Sequence, residues 1–177
     1  MAVQIGAKPD SGFDDPIGML KDCHRRIEWF AQILRHVVEQ AAGRTLTTEE
    51  KDAVEAALHY FRVGGERHNA DEEESLFPRM RAVCGDATGQ DLDALEDEHV
   101  RAGELHARIE ELYRKWIVAG ALQQLQQEQL LTATAKLKQL YTDHIQVEET
   151  TVFPHAAQVL DKAQVAAIGI EFKARRQ

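Results

Sequence analysis

A segment of eleven residues occurs twice in this chain, and both copies carry a histidine followed by two glutamates. Residues 68–78 read HNADEEESLFP and residues 144–154 read HIQVEETTVFP, at an offset of 76 residues. Residues i and i+4 lie one turn apart on the same face of an α-helix, so each copy presents an imidazole and a carboxylate in one direction. A chain with two such helices can fold so that both pairs meet in one interior.

A second, shorter repeat accompanies the first. The segment LKDCH at residues 20–24 corresponds to LEDEH at residues 95–99, at an offset of 75 residues. Each half of the chain therefore has a lone histidine, His24 or His99, in one helix and the H-x-x-x-E pair in the next. Two matched offsets imply a pseudo-two-fold relation between the halves, which is the symmetry of a site with two metal ions.

The spacing of apolar residues predicts four long helices joined by short connections. The first is expected to begin at Pro16 with Asp14 or Asp15 as its N-cap, and the second at Thr47 with Glu50 in the capping-box position. Short connections make successive helices antiparallel neighbours. The predicted fold class is therefore all-α, an up-down-up-down antiparallel four-helix bundle with a short fifth helix at the C-terminus.

Three segments are predicted: a flexible N-terminal tail at residues 1–15, the bundle at residues 16–160, and a short C-terminal helix with a basic tail at residues 161–177. The first 15 residues have neither an apolar core nor a basic start, so no signal peptide is expected. No apolar run approaches the roughly 20 residues that span a bilayer. The net charge of −9 disfavours nucleic acid and anionic membranes as partners. The expected location is cytoplasmic.

Proline and glycine mark special positions in the second and fourth helices. Pro78 is expected to kink or end the second helix and Pro154 to end the fourth, because proline lacks the N–H that a helix interior needs. Gly64 and Gly65 lie one turn before His68, where glycine weakens a helix. Two interpretations of the glycines stay open: close packing of helices, or room for a ligand or a hinge beside the site.

Four histidines and two glutamates are the candidate metal ligands: His24, His68, Glu72, His99, His144 and Glu148. Imidazole nitrogen and carboxylate oxygen suit iron, manganese or zinc rather than copper(I). Two carboxylates can bridge two cations and offset part of their charge inside a dry core. Six residues cannot saturate two octahedral ions, so positions remain for a bridging oxygen and an external ligand. The HExxH motif of zinc proteases is absent.

This combination of motifs resembles the hemerythrin-like family, the HHE cation-binding domain, over about residues 16–160. The resemblance implies a four-helix bundle that holds two non-haem iron ions with an oxo or hydroxo bridge, in preference to manganese or zinc. It implies that the four histidines ligate the iron ions and that Glu72 and Glu148 bridge them. Members of the family bind or sense dioxygen, handle nitric oxide or peroxide, or repair iron–sulfur clusters.

One position departs from the oxygen carriers of that family. They have a further histidine one turn after the third-helix ligand, where this chain has Gly103. The implied function is therefore binding or turnover of a small oxidant, a diatomic molecule or peroxide, in stress defence or iron–sulfur repair. Two alternatives stay open: a non-catalytic dioxygen binder or sensor that acts through a separate partner, and a helical module with a structural metal.

Side chains next to the ligands are the candidates for catalysis. Tyr141, three residues before the fourth-helix histidine, can donate a proton to a bound oxidant, and core packing is the alternative. Glu28, one turn after His24, is a candidate additional ligand or acid–base group. Glu73 and Glu149 are turned about 100° from the ligand glutamates and are expected to hydrogen-bond beside the site or to face solvent.

Overall fold

Helices make up all the regular structure of residues 10–177, which the computed structural model describes apart from the side chains of residues 86–88. In chain order they are α1 at Pro16–Ala41, α2 at residues 48–84, α3 at Asp86–Ala119, α4 at residues 124–159 and α5 at Lys162–Ala174. The predicted all-α class is thereby confirmed. None of the helices in the described part of the chain combines the length and apolarity that a bilayer crossing demands.

The helix starts follow the predicted capping residues. Asp15 caps α1, where its side chain accepts a hydrogen bond from the Gly18 N–H at 2.9 Å. Thr47 and Glu50 form a reciprocal capping box at the start of α2, with bonds of 3.2 and 2.9 Å. These side chains satisfy N–H groups that have no partner inside the helix. Local sequence therefore fixes where the first helical hairpin, formed by α1 and α2, begins and where it turns.

The four long helices form a closed ring of antiparallel neighbours. α1 packs against α2 and α4, and α3 packs against α2 and α4. Two apolar clusters fill the interior, one around Leu34, Ile109 and Trp116 and the other around Leu20 and Phe153. On every long helix the predicted metal ligands lie between a residue of one cluster and a residue of the other. The polar residues therefore occupy one layer with apolar packing on both sides.

Widened, π-helical turns interrupt α2 and α4. They lie at Phe61–Gly65, Glu72–Leu76 and Glu148–Val152. The prediction that the helices end at Pro78 and Pro154 was wrong, since both helices continue beyond them. Each proline lies in the first turn of the helical segment that follows a widened turn, where a missing N–H is tolerated.

The C-terminal helix α5 packs back onto α1 and α2. Arg175 and Arg176 at its end both bind Asp71, whose carboxylate is fully buried; the shortest contacts are 2.9 Å from Arg175 and 2.6 Å from Arg176. Part of the predicted N-terminal tail, residues 1–9, lies outside the described residues. The backbone at Phe13 approaches Gly169 of α5 so closely that a Cβ at this glycine would collide with the Phe13 carbonyl oxygen.

Candidate metal centre

The fold brings all six predicted ligands together in one buried layer. α1 supplies His24 and α3 supplies His99; α2 supplies one histidine–glutamate pair and α4 the other. Two groups of four donors form, and within each group the potential ligand atoms lie within 4.8 Å of one another. We call the group of His24, His68, Glu72 and Glu148 the N-terminal position, and the group of Glu72, His99, His144 and Glu148 the C-terminal position.

The four imidazoles direct their Nε2 atoms at the two shared carboxylates. The Nε2–carboxylate distances are 3.0 Å from His24 and 3.3 Å from His144 to Glu148, and 3.4 Å from His99 and 3.6 Å from His68 to Glu72. The Nε2 atoms of His99 and His144 are 3.1 Å apart. None of the six side chains is more than 6% exposed. Four nitrogen lone pairs and two carboxylates thus converge on a small, dry volume.

The two carboxylates lack the hydrogen bonds that burial normally requires. All four oxygens of Glu72 and Glu148 are buried, and none has a hydrogen-bond partner of good geometry among the described residues. A buried carboxylate without compensation costs several kcal/mol, so such groups are normally paired or coordinate a metal. Because both glutamates belong to both positions, each can bridge two cations. The donor set therefore fits a pair of divalent or trivalent metal ions.

The protonation of the metal-free site follows from the same geometry. Burial, reinforced by the charge of Glu148, raises the pKa of Glu72 well above its ordinary value. Burial also acts to raise the pKa of Glu148, but the imidazoles of His144 and His24, whose Nε2 atoms lie 3.3 and 3.0 Å from its oxygens, outweigh it and hold that pKa well below its ordinary value. Burial, with the charge of His24, lowers the pKa of His68, which stays neutral with a free lone pair.

Three further glutamates orient the histidines from outside; we call them the outer carboxylates. They accept hydrogen bonds from Nδ1–H groups, at 2.8 Å from His24 to Glu149, 2.6 Å from His99 to Glu73 and 2.9 Å from His144 to Glu98. A carboxylate on Nδ1 fixes the ring and the tautomer, so that the Nε2 lone pair faces the interior. Glu73 and Glu149 thus lie beside the site and hydrogen-bond there, as expected from their spacing.

Two of the three outer carboxylates link the two halves of the chain, the hairpin of α1 and α2 and the hairpin of α3 and α4. Glu73 comes from the first hairpin and binds His99 of the second, whereas Glu149 comes from the second hairpin and binds His24 of the first. A widened turn begins at each inner glutamate, Glu72 or Glu148, and the next residue in each turn is an outer carboxylate. Sequence reasoning missed Glu98; the one available signal was its place directly before a ligand histidine, turned toward the next helix.

Neither catalytic candidate belongs to a donor group. Tyr141 is buried, and its hydroxyl hydrogen-bonds to Nε2 of His106 at 2.7 Å. Both residues line a cavity of about 240 Å³ between α2 and α3. Glu28 is exposed on α1, belongs to neither metal position and lines a separate cavity of about 260 Å³ that Tyr141 also lines.

The glycines beside the site have two different roles. Gly64 packs against the ring of Tyr60, where a Cβ would lie only 2.6 Å from a ring carbon. Gly65 lines the 240 Å³ cavity together with Gly103, and a Cβ at Gly103 would meet no atom within 4 Å. The first glycine therefore allows close packing, and the other two leave space one turn away from the ligand histidines.

Comparison with known proteins agrees with this geometry. A family model described as hemerythrin HHE cation binding domain matches residues 15–156, which is most of the chain. The matched span contains all six residues of the two metal positions. No curated protein matches the chain.

Proposed function

The chain belongs to the hemerythrin HHE cation-binding domain family, and from this we propose that it holds two non-haem iron ions and binds or turns over a small oxidant. The oxidant would be dioxygen, nitric oxide or peroxide, in stress defence or iron–sulfur repair. The observation that carries the proposal is a pair of buried carboxylates that face four Nε2 atoms and have no hydrogen-bond partner within the described part of the chain. A centre of two cations is the arrangement that compensates both.

The donor set favours iron. Each position offers two imidazoles and shared carboxylates, which resembles the two-histidine, one-carboxylate sets of non-haem iron sites with open positions. Bound iron would supply one-electron redox chemistry and coordination positions for a small ligand. The chain itself excludes bulk water, because every donor side chain is nearly fully buried and apolar clusters pack on both sides. Selection among oxidants would therefore be mainly by size.

Metal analysis and oxidant assays test this function. We expect about two iron ions per chain in protein produced with iron, and loss of iron in a His68→Ala/His144→Ala variant. His59→Ala is the matched control because His59 is exposed on α2. After anaerobic reduction, consumption of peroxide or nitric oxide with decay to the ferric form indicates an enzyme, whereas a stable, reversible oxygenated spectrum indicates a binder or sensor. Zinc that resists exchange and supports no redox change would contradict the proposal.

The burial of all six donors favours one alternative, a helical module whose metal ions are purely structural. In that case chelation would unfold the bundle, and no oxidant would change the spectrum of the loaded protein. The same metal analysis and spectra therefore separate this alternative from the redox function.

Tyr141 is our candidate proton source for turnover. Burial raises the pKa of Tyr141, so its hydroxyl stays protonated, and burial lowers the pKa of its partner His106 to about 4. If the pair delivers a proton to the oxidant, Tyr141→Phe should lower turnover on the order of 100-fold without changing iron content. The control is Tyr60→Phe, which removes a hydroxyl that bonds to the carbonyl of Cys23 instead. Unchanged turnover in Tyr141→Phe would assign the residue to core packing.

A further inference from the structure

The two halves of the repeat differ at the position directly before the lone histidine. Glu98 of the second half corresponds to Cys23 of the first, each directly before the lone histidine of its half. By the longer repeat, His144 of the second half corresponds to His68 of the first. The repeat therefore matches the contacting pair Glu98 and His144 with the pair Cys23 and His68, and only the first pair contains a carboxylate.

The hydrogen bonds around the centre follow this difference. Glu98 accepts from Nδ1 of His144 at 2.9 Å, whereas Nδ1 of His68 is buried and has no hydrogen-bond partner among the described residues. The Cys23 sulfur accepts a hydrogen bond from Nη2 of Arg26 at 3.3 Å and does not bond to His68. One imidazole of the N-terminal position therefore lacks an outer carboxylate, while both imidazoles of the C-terminal position have one.

From this asymmetry we propose that the N-terminal position binds its metal ion more weakly than the C-terminal position, so that the centre fills and empties in a fixed order. The inference rests on the proposed two-metal function. An outer carboxylate holds its imidazole in the ligating orientation and makes it a better donor, and removing one such partner costs roughly 10- to 100-fold in metal affinity. We therefore expect the affinities of the two positions to differ by a factor in that range.

The shared glutamates act in the same direction. The first ion to bind draws on the charge of both Glu72 and Glu148, because each belongs to both positions. The second ion then meets carboxylates that are already partly neutralised and a cation close by. The C-terminal position fills first for the reason given above, so this penalty falls on the N-terminal position and widens the gap.

Stepwise loading of the full-length apoprotein with iron(II) under anaerobic conditions tests the order. Isothermal titration should resolve two binding steps whose affinities differ by roughly 10- to 100-fold or more. In crystals grown with one equivalent of iron, anomalous scattering should place the ion between His99 and His144. Glu98→Ala should weaken the first step by roughly 10- to 100-fold and bring the two steps together. Glu98 is partly exposed, so its removal leaves no void in the core.

Two control variants test whether the effect is specific to the outer carboxylate. Glu104→Ala removes an exposed acid from the same helix as Glu98 and should leave both steps unchanged. Cys23→Ser should also leave both unchanged, because the thiol bonds to Arg26 and not to a ligand. Equal affinities in the wild type, a first ion at the N-terminal position, or an effect of Glu98→Ala on the weaker step alone would overturn the inference. Failure to bind two ions at all would instead overturn the proposed function.

Discussion

Replacing Glu72 and Glu148 together with glutamine is expected to abolish iron binding and to make the metal-free protein more stable than the metal-free wild type. In the wild type, four buried carboxylate oxygens have no hydrogen-bond partner among the residues that the structure describes. A glutamine has nearly the same shape and no charge. Its amide can donate to the Nε2 atoms of the facing histidines, which are free to accept because their Nδ1–H groups point outward in three of the four rings.

The expected order of stability is loaded wild type, then metal-free double variant, then metal-free wild type. Relief of these unsatisfied buried groups is worth roughly 1–3 kcal/mol, which is the cost of leaving a buried polar group without a hydrogen-bond partner. Loading the wild type with iron at about 1,000 times the dissociation constant adds about 4 kcal/mol. Urea unfolding with and without a chelator measures all three free energies.

The matched control for the double variant is Glu104→Gln, which makes the same chemical change at an exposed position on α3. It should alter neither iron content nor the free energy of unfolding beyond a few tenths of a kcal/mol. A double variant that is less stable than the wild type when both lack metal would contradict the idea that the carboxylates are uncompensated. Retention of two iron ions by the variant would contradict their role as ligands.

Removing both arginines that bind Asp71 is expected to lower the free energy of unfolding by about 3–5 kcal/mol. Asp71 is fully buried, and its two oxygens receive the guanidinium groups of Arg175 and Arg176 from the end of α5. The variant Arg175→Ala/Arg176→Ala leaves this carboxylate buried and unpaired. Asp71→Asn should cost less, because the two arginines are near the surface and can turn toward water.

The unequal costs of removing the arginines and of neutralising Asp71 can be checked in a combined variant. Asp71→Asn introduced into the double arginine variant should restore part of the lost stability, although it removes a further charged residue. Lys173→Ala is the control, since Lys173 is exposed in the same last turn of α5. Urea unfolding reports each free energy. A loss of less than about 1 kcal/mol in the double arginine variant would show that α5 is held by its apolar face alone.

The parts of this structure that could be predicted from sequence are those encoded locally or by repetition. Asp15 and Thr47 cap their helices because the capping bonds join residues three apart. Four of the six residues of the candidate metal centre could be identified because a repeated i, i+4 pattern fixes which helix face they share, and His24 and His99 because the shorter repeat pairs them. The family resemblance led to the same residues and is confirmed by the matching family model.

What could not be predicted depends on how the helices rotate against one another. The contact between Tyr141 and His106 joins residues 35 apart, and the contact between Arg175 and Asp71 joins residues 104 apart. Neither pair shares a periodic pattern. The continuation of α2 and α4 past Pro78 and Pro154 depends on widened turns, which hydrophobic periodicity does not reveal.

Glu73 and Glu149 each bond to a histidine of the other hairpin, so association of the two hairpins depends on the same contacts that build the metal positions. Each hairpin lends one inner acid and one outer acid to the histidines of the other, so the halves cannot part without dismantling both positions at once. An ion bound in either position would be ligated by both hairpins and would therefore hold them together. Association of the two halves and affinity for the metal ions are then thermodynamically linked, so a chelator that extracts the ions also loosens the bundle around them.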